Sequence, residues 1–346
     1  MGKILITGGS GFFGEILETH LLQQGHEVVN VDLVRDPTTH RSLVSYQGDI
    51  RDAAYLDREI FQRHTFSGIV HCAAILAHAV KDRDFLWQSN VDGTRNVAEL
   101  AKKYGVKKIV FTSTNCLWAR NYGRAVREDD PPEPVEIYGR SKWEGEKILN
   151  EYRDCMDVVL IRCPTITDAG RLGLLGILFE FIDEGRRVWV VGGGENRYQF
   201  IYAPDLVDAC VRSLAYGGSE IFNVGSDDVK SFREVYGYVI RHAGTSARVA
   251  SLPKAPTLWA MRMAYAMKLS PLGPYQYKMI AEDFYFDTRK IKETLRWAPT
   301  LTNEQMLLKA YQYYHENLRE IKSRTGVSAH KQIADMGILR LVKWLS

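Results

Sequence analysis

Short apolar runs rich in β-branched residues alternate with amphipathic helical patterns through the first half of the chain. The runs are KILIT at 3–7, EVVNVD at 27–32, GIVHCAA at 68–74 and KIVFTST at 108–114, and helical patterns such as GEILETHLLQQ separate them. The runs are nearly continuous in apolar residues, which is typical of parallel strands that helices cover on both faces. The alternation predicts an α/β fold with a doubly wound parallel sheet.

Two later runs extend this pattern, VVLIRCP at 158–164 and EIFNVG at 220–225. Between and after them the alternation is interrupted by the glycine-rich GGGEN and the proline-marked LPKAP. We therefore predict a sheet domain, a smaller interleaved C-terminal lobe and an amphipathic tail. The sheet domain takes residues 1–165 and about 203–225, the lobe takes about 166–202 and 226–320, and the tail takes 321–346.

Composition and charge exclude several classes of protein. Of the 346 residues, 45% are hydrophobic and 25% are charged, as in ordinary soluble domains. The net charge of +3 comes without a basic stripe among aromatic residues, which argues against nucleic acid as a partner. We expect no signal peptide, and no apolar run reaches the roughly 18 to 20 residues that span a bilayer. Five scattered cysteines without a Cys-x-x-Cys pair favour the reducing cytoplasm.

A glycine-rich turn, TGGSGFFG at 7–14, joins the first predicted strand to the first predicted helix. Gly9, Gly11 and Gly14 fit G-x-G-x-x-G, and Gly8, Gly11 and Gly14 fit T-G-x-x-G-x-x-G. Glycines there allow a tight turn, close approach of a pyrophosphate and close packing of the helix. The N–H groups at the helix N-terminus would then bind the phosphates. The turn therefore predicts a dinucleotide site.

Asp32 ends the second predicted strand, eighteen residues after Gly14. An acidic side chain at this position accepts hydrogen bonds from the ribose hydroxyls of NAD, and it repels the 2′-phosphate of NADP. Arg35 lies close enough in sequence to weaken that preference. We predict NAD as the cofactor.

Further motifs follow in order along the chain. They are GDI at 48–50, HCAA at 71–74, NVDGT at 90–94, FTSTNCLW at 111–118, YGRSK at 138–142 and IRCP at 161–164. Together with the glycine-rich turn they resemble the extended short-chain dehydrogenase/reductase family, within its NAD-dependent branch of nucleotide-sugar epimerases and dehydratases. The resemblance implies a Rossmann domain that binds NAD and a smaller lobe that binds a nucleotide sugar.

The resemblance also implies which residues contact the ligands. The expected cofactor residues are Gly8, Gly11, Phe12, Phe13, Gly14, Asp32, Asp49, Ile50, Ala73, Ala74, Asn90, Tyr138, Lys142 and Pro164. The expected substrate residues are Thr114, Asn115 and Arg197, of which Arg197 would meet the sugar nucleotide diphosphate. We expect a homodimer.

Tyr138 and Lys142 lie four residues apart, on one face of a predicted helix. A tyrosine with a pKa of about 10 is a poor base at neutral pH, so a nearby cation must favour its phenolate. In the family pattern Thr114 holds the reacting oxygen. Ser113 precedes it, but neighbouring residues of a strand face opposite sides, so only one of the two hydroxyls faces the site. We predict Thr114, Tyr138 and Lys142 as catalytic residues.

The residues after Thr114 discriminate between reactions. Dehydratases of this family carry an Asp-Glu pair there to drive elimination of water, whereas this chain has Asn115 and Cys116, which are poor acids and bases. We therefore predict an epimerase that acts at C4 of a nucleotide sugar through a transient keto intermediate, with Tyr138 as acid and base. A 4,6-dehydratase is disfavoured.

Two alternatives belong to other classes. A sterol- or flavonoid-like NAD(P)-dependent alcohol dehydrogenase or reductase would have an apolar cleft, for which the aromatic and Met-rich segment 257–273 is suggestive, although such segments are more often helix core. A non-catalytic dinucleotide sensor would have no need of Thr114, Tyr138 and Lys142.

Two further features are open to a structural interpretation. His71 lies in a buried-looking strand and we expect a structural role, since no spaced set of His, Cys or carboxylate residues predicts a metal site. Residues 330–346 are amphipathic if helical. They fit either a helix packed on the body or a partner subunit, or a peripheral contact with the inner face of a membrane.

Overall fold

The computed structural model describes residues 2–77, 82–118, 121–267 and 273–324, together with Ile333. The tail predicted at 321–346 therefore lies outside the described residues, except for 321–324 and Ile333. Ile333 packs on the body of the protein, where it pairs with the backbone of Gly173 and lies against Gly176.

Eleven strands and thirteen α-helices are assigned in this part of the chain. The strands are β1 Lys3–Thr7, β2 Glu27–Asp32, β3 Leu43–Gln47, β4 Gly68–His71, β5 Lys108–Thr114, β6 Asp157–Cys163, β7 Thr165–Thr167, β8 Arg187–Val191, β9 Phe200–Tyr202, β10 Glu220–Asn223 and β11 Arg248–Leu252. The helices are α1 Phe12–Gln23, α2 Ala53–Tyr55, α3 Arg83–Trp87, α4 Gly93–Lys103, α5 Ile137–Asn150, α6 Leu174–Asp183, α7 Ala203–Ala215, α8 Phe232–Ala243, α9 Lys254–Ala266, α10 Pro274–Ala281, α11 Arg289–Leu295, α12 Asn303–Glu316 and α13 Leu318–Ser323.

Seven parallel strands form the central sheet, in the order β3-β2-β1-β4-β5-β6-β10. Two hydrophobic cores cover its faces. Ile4 and Ile6 of β1 belong to the core that includes residues of α1 and α7, and Leu5 between them belongs to the core with residues of α4 and α5. Because alternate residues of each strand are buried on opposite faces, the strands read as continuous apolar runs. The predicted doubly wound sheet is confirmed.

The second half of the chain adds two small parallel sheets, β8 with β11 and β7 with β9. A separate core joins α6, α8 and α12 through Phe179, Val239 and Tyr311. Between these segments the chain returns to the large sheet, where β10 pairs with β6. The division into a sheet domain and a smaller lobe stays a prediction.

Parallel strands place their carboxyl ends along one edge of the sheet. Thr7, Asp32, His71, Thr114 and Cys163 end strands β1, β2, β4, β5 and β6 along this edge. The strand order changes direction at β1 and β4, and open α/β sheets bind their ligands at such a switch point. This edge is therefore the place to examine for a site.

Most of the Met-rich segment 257–273 belongs to helix α9, which ends at Ala266. Residues 268–272 of the segment lie outside the described residues. Only Ala264 of this helix is buried, whereas Trp259 is 66% exposed and Met267, just after the helix, is 57% exposed. The helix-core interpretation is therefore wrong. None of the helices in the described ranges is long and apolar enough to cross a membrane.

Candidate active site

The glycine-rich turn between β1 and α1 is packed so closely against backbone atoms that side chains would not fit at two of its glycines. Gly8 adopts a φ of +79°, and a Cβ atom there would lie 2.7 Å from the backbone of Ala73. A Cβ atom on Gly14 would lie 2.1 Å from the carbonyl oxygen of Gly8, so the first turn of α1 packs directly on the loop. No side chain caps the helix at Gly11, which leaves its first N–H groups to bind an anion. The turn fits the pyrophosphate of a dinucleotide.

Asp32 lies beside this turn at the end of β2. Its carboxylate accepts hydrogen bonds from the backbone N–H groups of Ser10, at 3.1 Å, and Val34, at 3.0 Å. Burial raises the pKa of Asp32 above its usual value, and these hydrogen bonds oppose the rise. The carboxylate is thus fixed next to the turn, where the ribose of a dinucleotide bound there would meet it.

The other predicted cofactor residues fall into three groups. Ala73 and Ala74 follow β4 and Pro164 follows β6, so these three lie at the carboxyl edge of the sheet. Phe12 and Phe13 are the buried first residues of α1. Asp49 and Ile50 follow β3, and the Asp49 carboxylate binds a neighbouring arginine side chain at 2.6 Å.

Thr114 ends β5, and its hydroxyl accepts a hydrogen bond from the N–H of Cys116 at 3.1 Å. It also lies close enough to the phenol of Tyr138, in the first turn of α5, to favour the phenolate. Lys142 follows one helical turn later, is 2% exposed and has its Nζ atom 3.8 Å from the centre of the Phe111 ring. Ser113 turns to the other side of the strand and donates to the carboxylate of a buried glutamate. The structure therefore brings together Thr114, Tyr138 and Lys142, three residues that the sequence predicted as a group.

Burial acts on the two ionisable groups of this cluster in opposite directions. It raises the pKa of Tyr138 above its usual value, although the nearby hydroxyl of Thr114 opposes the rise. It lowers the pKa of Lys142 to about 8. In the protein without a bound ligand, burial therefore favours the neutral forms of Tyr138 and Lys142. A phenolate at Tyr138 needs additional positive charge in the cleft.

Asn90 joins the loop after β4 to helix α5. Its amide group donates to the backbone oxygen of Ile75 at 3.0 Å and to the hydroxyl of Ser141 at 2.9 Å, and its amide oxygen accepts from the N–H of Ile75 at 2.7 Å. Ser141 in turn donates to the backbone oxygen of Tyr138. Asn90 therefore holds the start of α5 against the edge of the sheet.

Asn115 and Cys116 follow Thr114 in a short 3₁₀ turn, and both are buried. The amide group of Asn115 donates to the hydroxyl of Tyr198 at 2.9 Å, and that hydroxyl also lies 3.0 Å from the hydroxyl of Thr165. Tyr198 was not predicted from the sequence. It lies 83 residues from Asn115, next to the predicted Arg197 in the segment NRYQFIYAPDLVDA.

Arg197 is held by acidic and aromatic neighbours. Its guanidinium forms an ion pair with Asp283 at 2.8 Å, donates to the hydroxyl of Tyr285 at 3.1 Å and lies 4.5 Å from the centre of that ring. Its charge is therefore already paired in the free chain. Its predicted contact with a diphosphate stays a prediction.

Arg171, in the loop between β7 and α6, is a second residue that the sequence did not predict. Its Nε and Nη1 atoms are closed off from solvent and have no hydrogen-bond partner among the described residues. Its guanidinium carbon lies 5.7 Å from the centre of the Phe12 ring, and its charge interacts with the phenols of Tyr138 and Tyr198. Within the described ranges, a cation with two unpaired nitrogen atoms thus lies near both Phe12 and Tyr138.

His71 is buried between the hydroxyls of Thr7, at 2.5 Å, and Thr94, at 2.9 Å. Burial lowers the pKa of His71 to about 3, with a smaller contribution from Lys142, so the ring is neutral. This arrangement is that of a structural histidine. Over the described ranges no group of three or more His, Cys, Asp or Glu side chains is placed to hold a metal ion.

Comparisons with known proteins agree with this architecture. Residues 4–225 match the sequence model of the NAD dependent epimerase/dehydratase family. The chain is 36% identical over 345 residues to the uncharacterized protein y4nG of Sinorhizobium fredii, covering 98% of this chain and 85% of y4nG. It is 27% identical over 332 residues to a UDP-glucose 4-epimerase of Mycolicibacterium smegmatis, covering 90% of this chain and 98% of the relative.

A solved structure shares the fold. The UDP-glucose 4-epimerase of Thermotoga maritima, crystallised with UDP-glucose, superposes with a TM-score of 0.76 at 24% identity, over 91% of this chain and 99% of that one. At this identity the likeness shows the fold, and the assignment to a family comes from the sequence matches. The chain belongs to the NAD dependent epimerase/dehydratase family, which confirms the predicted family and the predicted cofactor, NAD.

Proposed function

We propose that this enzyme epimerises a nucleotide sugar at C4 through a transient 4-keto intermediate. The observation that carries the proposal is the cluster of Thr114, Tyr138 and Lys142 at the carboxyl edge of the sheet, next to a turn that fits a pyrophosphate. Tyr138 supplies a group that transfers a proton, Thr114 a hydroxyl that orients the reacting groups, and Lys142 a cation. The cluster contains no further acid or base that would drive elimination of water.

Each residue of the cluster has a separate task in this proposal. Tyr138 takes the proton of the 4-hydroxyl as the hydroxyl is oxidised and returns it when the ketone is reduced. Thr114 hydrogen-bonds the reacting oxygen and the phenol, and the Lys142 ammonium favours the phenolate. When bound, NAD would supply reversible hydride transfer at C4 and a positive charge that offsets the burial of Tyr138.

Residues of the carboxyl edge would hold the cofactor through these steps. The turn at Gly8, Gly11 and Gly14 accommodates the pyrophosphate, and Asp32 accepts from the adenosine ribose. Asn90 keeps α5 in position through Ser141. On the substrate side we assign Thr114 and Asn115 to the sugar and Arg197 to the diphosphate.

The residues after Thr114 argue against dehydration. Elimination of water from a 4-keto sugar needs an acid and a base beyond Tyr138. Asn115 has no ionisable group, and its amide is bonded to Tyr198. Cys116 is buried in the middle of the same 3₁₀ turn. An epimerase requires neither residue to transfer a proton.

The test uses the purified full-length protein without added cofactor. We expect NAD to co-purify and NMR spectra to show interconversion of UDP-glucose and UDP-galactose. Tyr138→Phe should abolish the interconversion and retain NAD. Stoichiometric NADH formation from a free alcohol would instead assign the protein as a dehydrogenase. A fully active Tyr138→Phe variant would contradict the mechanism.

We extend the proposal to a cytoplasmic homodimer whose tail either packs on the body or on a partner subunit, which the contact of Ile333 with Gly173 and Gly176 favours, or touches the inner face of a membrane. The motivation is the amphipathic pattern of residues 330–346. Light scattering measures the oligomeric state. Co-sedimentation with anionic liposomes, compared with a variant that lacks residues 325–346, tests the tail, and equal sedimentation of both proteins would remove the membrane contact.

A further inference from the structure

Within the described ranges, the Nε and Nη1 atoms of Arg171 are buried without any hydrogen-bond partner, anionic or neutral. The nearest acidic residue in sequence, Asp168, instead binds the ammonium of Lys309 at 2.9 Å and the N–H of Ala169 at 2.7 Å. Removing a guanidinium from water without giving it hydrogen bonds is costly, so such a group is rare in a protein interior. The arrangement becomes favourable when a ligand brings the missing acceptor.

Other arginines in this part of the protein are compensated. Arg162 is 2% exposed and pairs with the buried carboxylate of Glu146 at 2.7 Å. Arg197 pairs with Asp283 at 2.8 Å. These arginines have their acids inside the fold, whereas the Nε and Nη1 atoms of Arg171 are unpaired within the described ranges. Of these three arginines, Arg171 is therefore the one whose guanidinium still lacks hydrogen-bond acceptors.

The surroundings of Arg171 restrict which ligand atoms it can meet. On one side lies Phe12, which begins the helix after the glycine-rich turn, and on the other lie the phenols of Tyr138 and Tyr198. Burial lowers the pKa of Arg171 only to about 10, so it is charged at neutral pH. A planar guanidinium pairs with carboxylate or phosphate through two parallel hydrogen bonds.

We propose that Arg171 binds an anionic oxygen group of the ligand beside Tyr138, either a carboxylate on the sugar ring or a pyrophosphate oxygen of the cofactor or substrate. This inference rests on the proposed function for the identity of the ligands. If the carboxylate is the partner, the natural substrate is a nucleotide-linked uronic acid, and Arg171 selects it over the neutral sugar.

Equilibrium binding to the full-length protein separates the sources and needs no catalysis. The ligands are NAD, UDP, UDP-glucose and UDP-glucuronate, the sugar nucleotides being measured on the NAD-loaded protein. The variants are Arg171→Gln, which removes the charge, and Arg171→Lys, which keeps it without the planar fork. Arg212→Gln is the matched control, because that arginine is already paired with Asp208 on helix α7 and belongs to neither proposed ligand site.

The loss of a charged hydrogen-bonded contact should weaken one class of ligand about 10- to 100-fold in Arg171→Gln, with a smaller loss in Arg171→Lys. Weaker binding of UDP-glucuronate alone assigns the sugar carboxylate. Weaker binding of NAD assigns the cofactor pyrophosphate, and equal weakening of all three uridine ligands assigns the substrate diphosphate. Unchanged affinities of both variants for all four ligands would overturn the proposal.

Failure of the proposed function has a different signature. If NMR shows no epimerisation but Arg171→Gln still loses affinity for one ligand class, the anion-binding role of Arg171 is supported and the proposed C4 epimerisation is refuted. Folding is checked by thermal unfolding without ligands. Since the Nε and Nη1 atoms of Arg171 are unpaired in the part of the chain that the structure describes, Arg171→Gln should unfold at the wild-type temperature or above it.

Discussion

The side chains of Ser113 and Thr114 leave strand β5 in opposite directions. The Thr114 hydroxyl lies on the side of Tyr138, whose phenolate it favours, and the Ser113 hydroxyl donates to the carboxylate of Glu146 at 2.5 Å. Glu146 is itself paired with Arg162, so Ser113 belongs to a buried structural network. The two adjacent hydroxyls therefore lie in different environments, one beside the candidate site and one in a structural contact.

Thr114→Val keeps the shape of the side chain and removes the hydroxyl group. We expect kcat for epimerisation to fall by about 100-fold, because the reacting oxygen and the phenol both lose a donor. Ser113→Ala is the matched control. It should leave kcat unchanged and lower the free energy of unfolding by about 1 kcal/mol, through the lost bond to Glu146. Equal losses of kcat in both variants would refute the separation of roles.

Gly11 and Gly14 are predicted to respond differently to the same added methyl group. In Gly14→Ala the Cβ atom would lie 2.1 Å from the oxygen of Gly8, so the backbone must shift, at a cost of about 1 to 3 kcal/mol of stability. In Gly11→Ala the nearest atom would lie 3.3 Å away and φ is an ordinary −79°, so the cofactor-free protein should unfold normally.

The affinity for NAD should nevertheless fall in Gly11→Ala, by about 10-fold or more, because the methyl group occupies the path of the pyrophosphate. Thermal unfolding of the cofactor-free variants and titration with NAD measure the two effects separately. Normal NAD affinity in Gly11→Ala would place the pyrophosphate elsewhere.

The strands of the central sheet were predictable where burial is complete. β1, β2 and β5 have the bounds predicted from their apolar runs, because each is covered on both faces. The predicted runs 68–74 and 220–225 extend beyond the ends of β4 and β10 by three and two residues. The reason is that the apolar sequence continues after the last paired residue of each strand. β3 was missed. Its side chains are mostly half-exposed or exposed, and no apolar run marks an edge strand of this kind.

The candidate site was predictable where its residues follow one another at fixed spacing. Thr114, Tyr138 and Lys142 are found in this way, and so is the glycine-rich turn. Arg171 and Tyr198 are not, because their place in the site depends on long-range packing between segments far apart in the chain. A lone arginine has the same appearance in sequence whether its charge is paired, as in Arg197, or unpaired.

The carboxylate of Asp32 is predicted to set the preference for NAD over NADP. Asp32→Asn removes the charge and keeps an oxygen for the backbone of Ser10 or Val34. We expect the ratio of the NADP and NAD dissociation constants to fall by about 10-fold or more, because the 2′-phosphate no longer meets a like charge. Asp208→Asn is the control, since that partly exposed carboxylate is paired with Arg212 and is not among the predicted cofactor residues. An equal change in the two variants would show an unspecific charge effect.

Lys142 is predicted to reduce the stability of the cofactor-free protein at neutral pH. Burial lowers its pKa from 10.5 to about 8, and one pKa unit corresponds to about 1.4 kcal/mol, so the buried charge costs up to about 3 kcal/mol. Between pH 8 and pH 10.5 the unfolded chain keeps a proton that the folded chain has lost. Raising the pH through this window therefore stabilises the fold, and below pH 8 the full cost is present.

Lys142→Met should consequently raise the free energy of unfolding at pH 7 by about 1 to 3 kcal/mol and remove the contribution that grows between pH 8 and 10, while it abolishes epimerisation. Urea unfolding of the cofactor-free protein at both pH values measures this. Lys147→Met, on the same helix with a side chain that is 47% exposed, should change stability by less than about 0.5 kcal/mol. A Lys142→Met protein that is less stable than the wild type at pH 7 would mean that the ammonium is compensated inside the fold, and Tyr138 would then lie next to a paired cation.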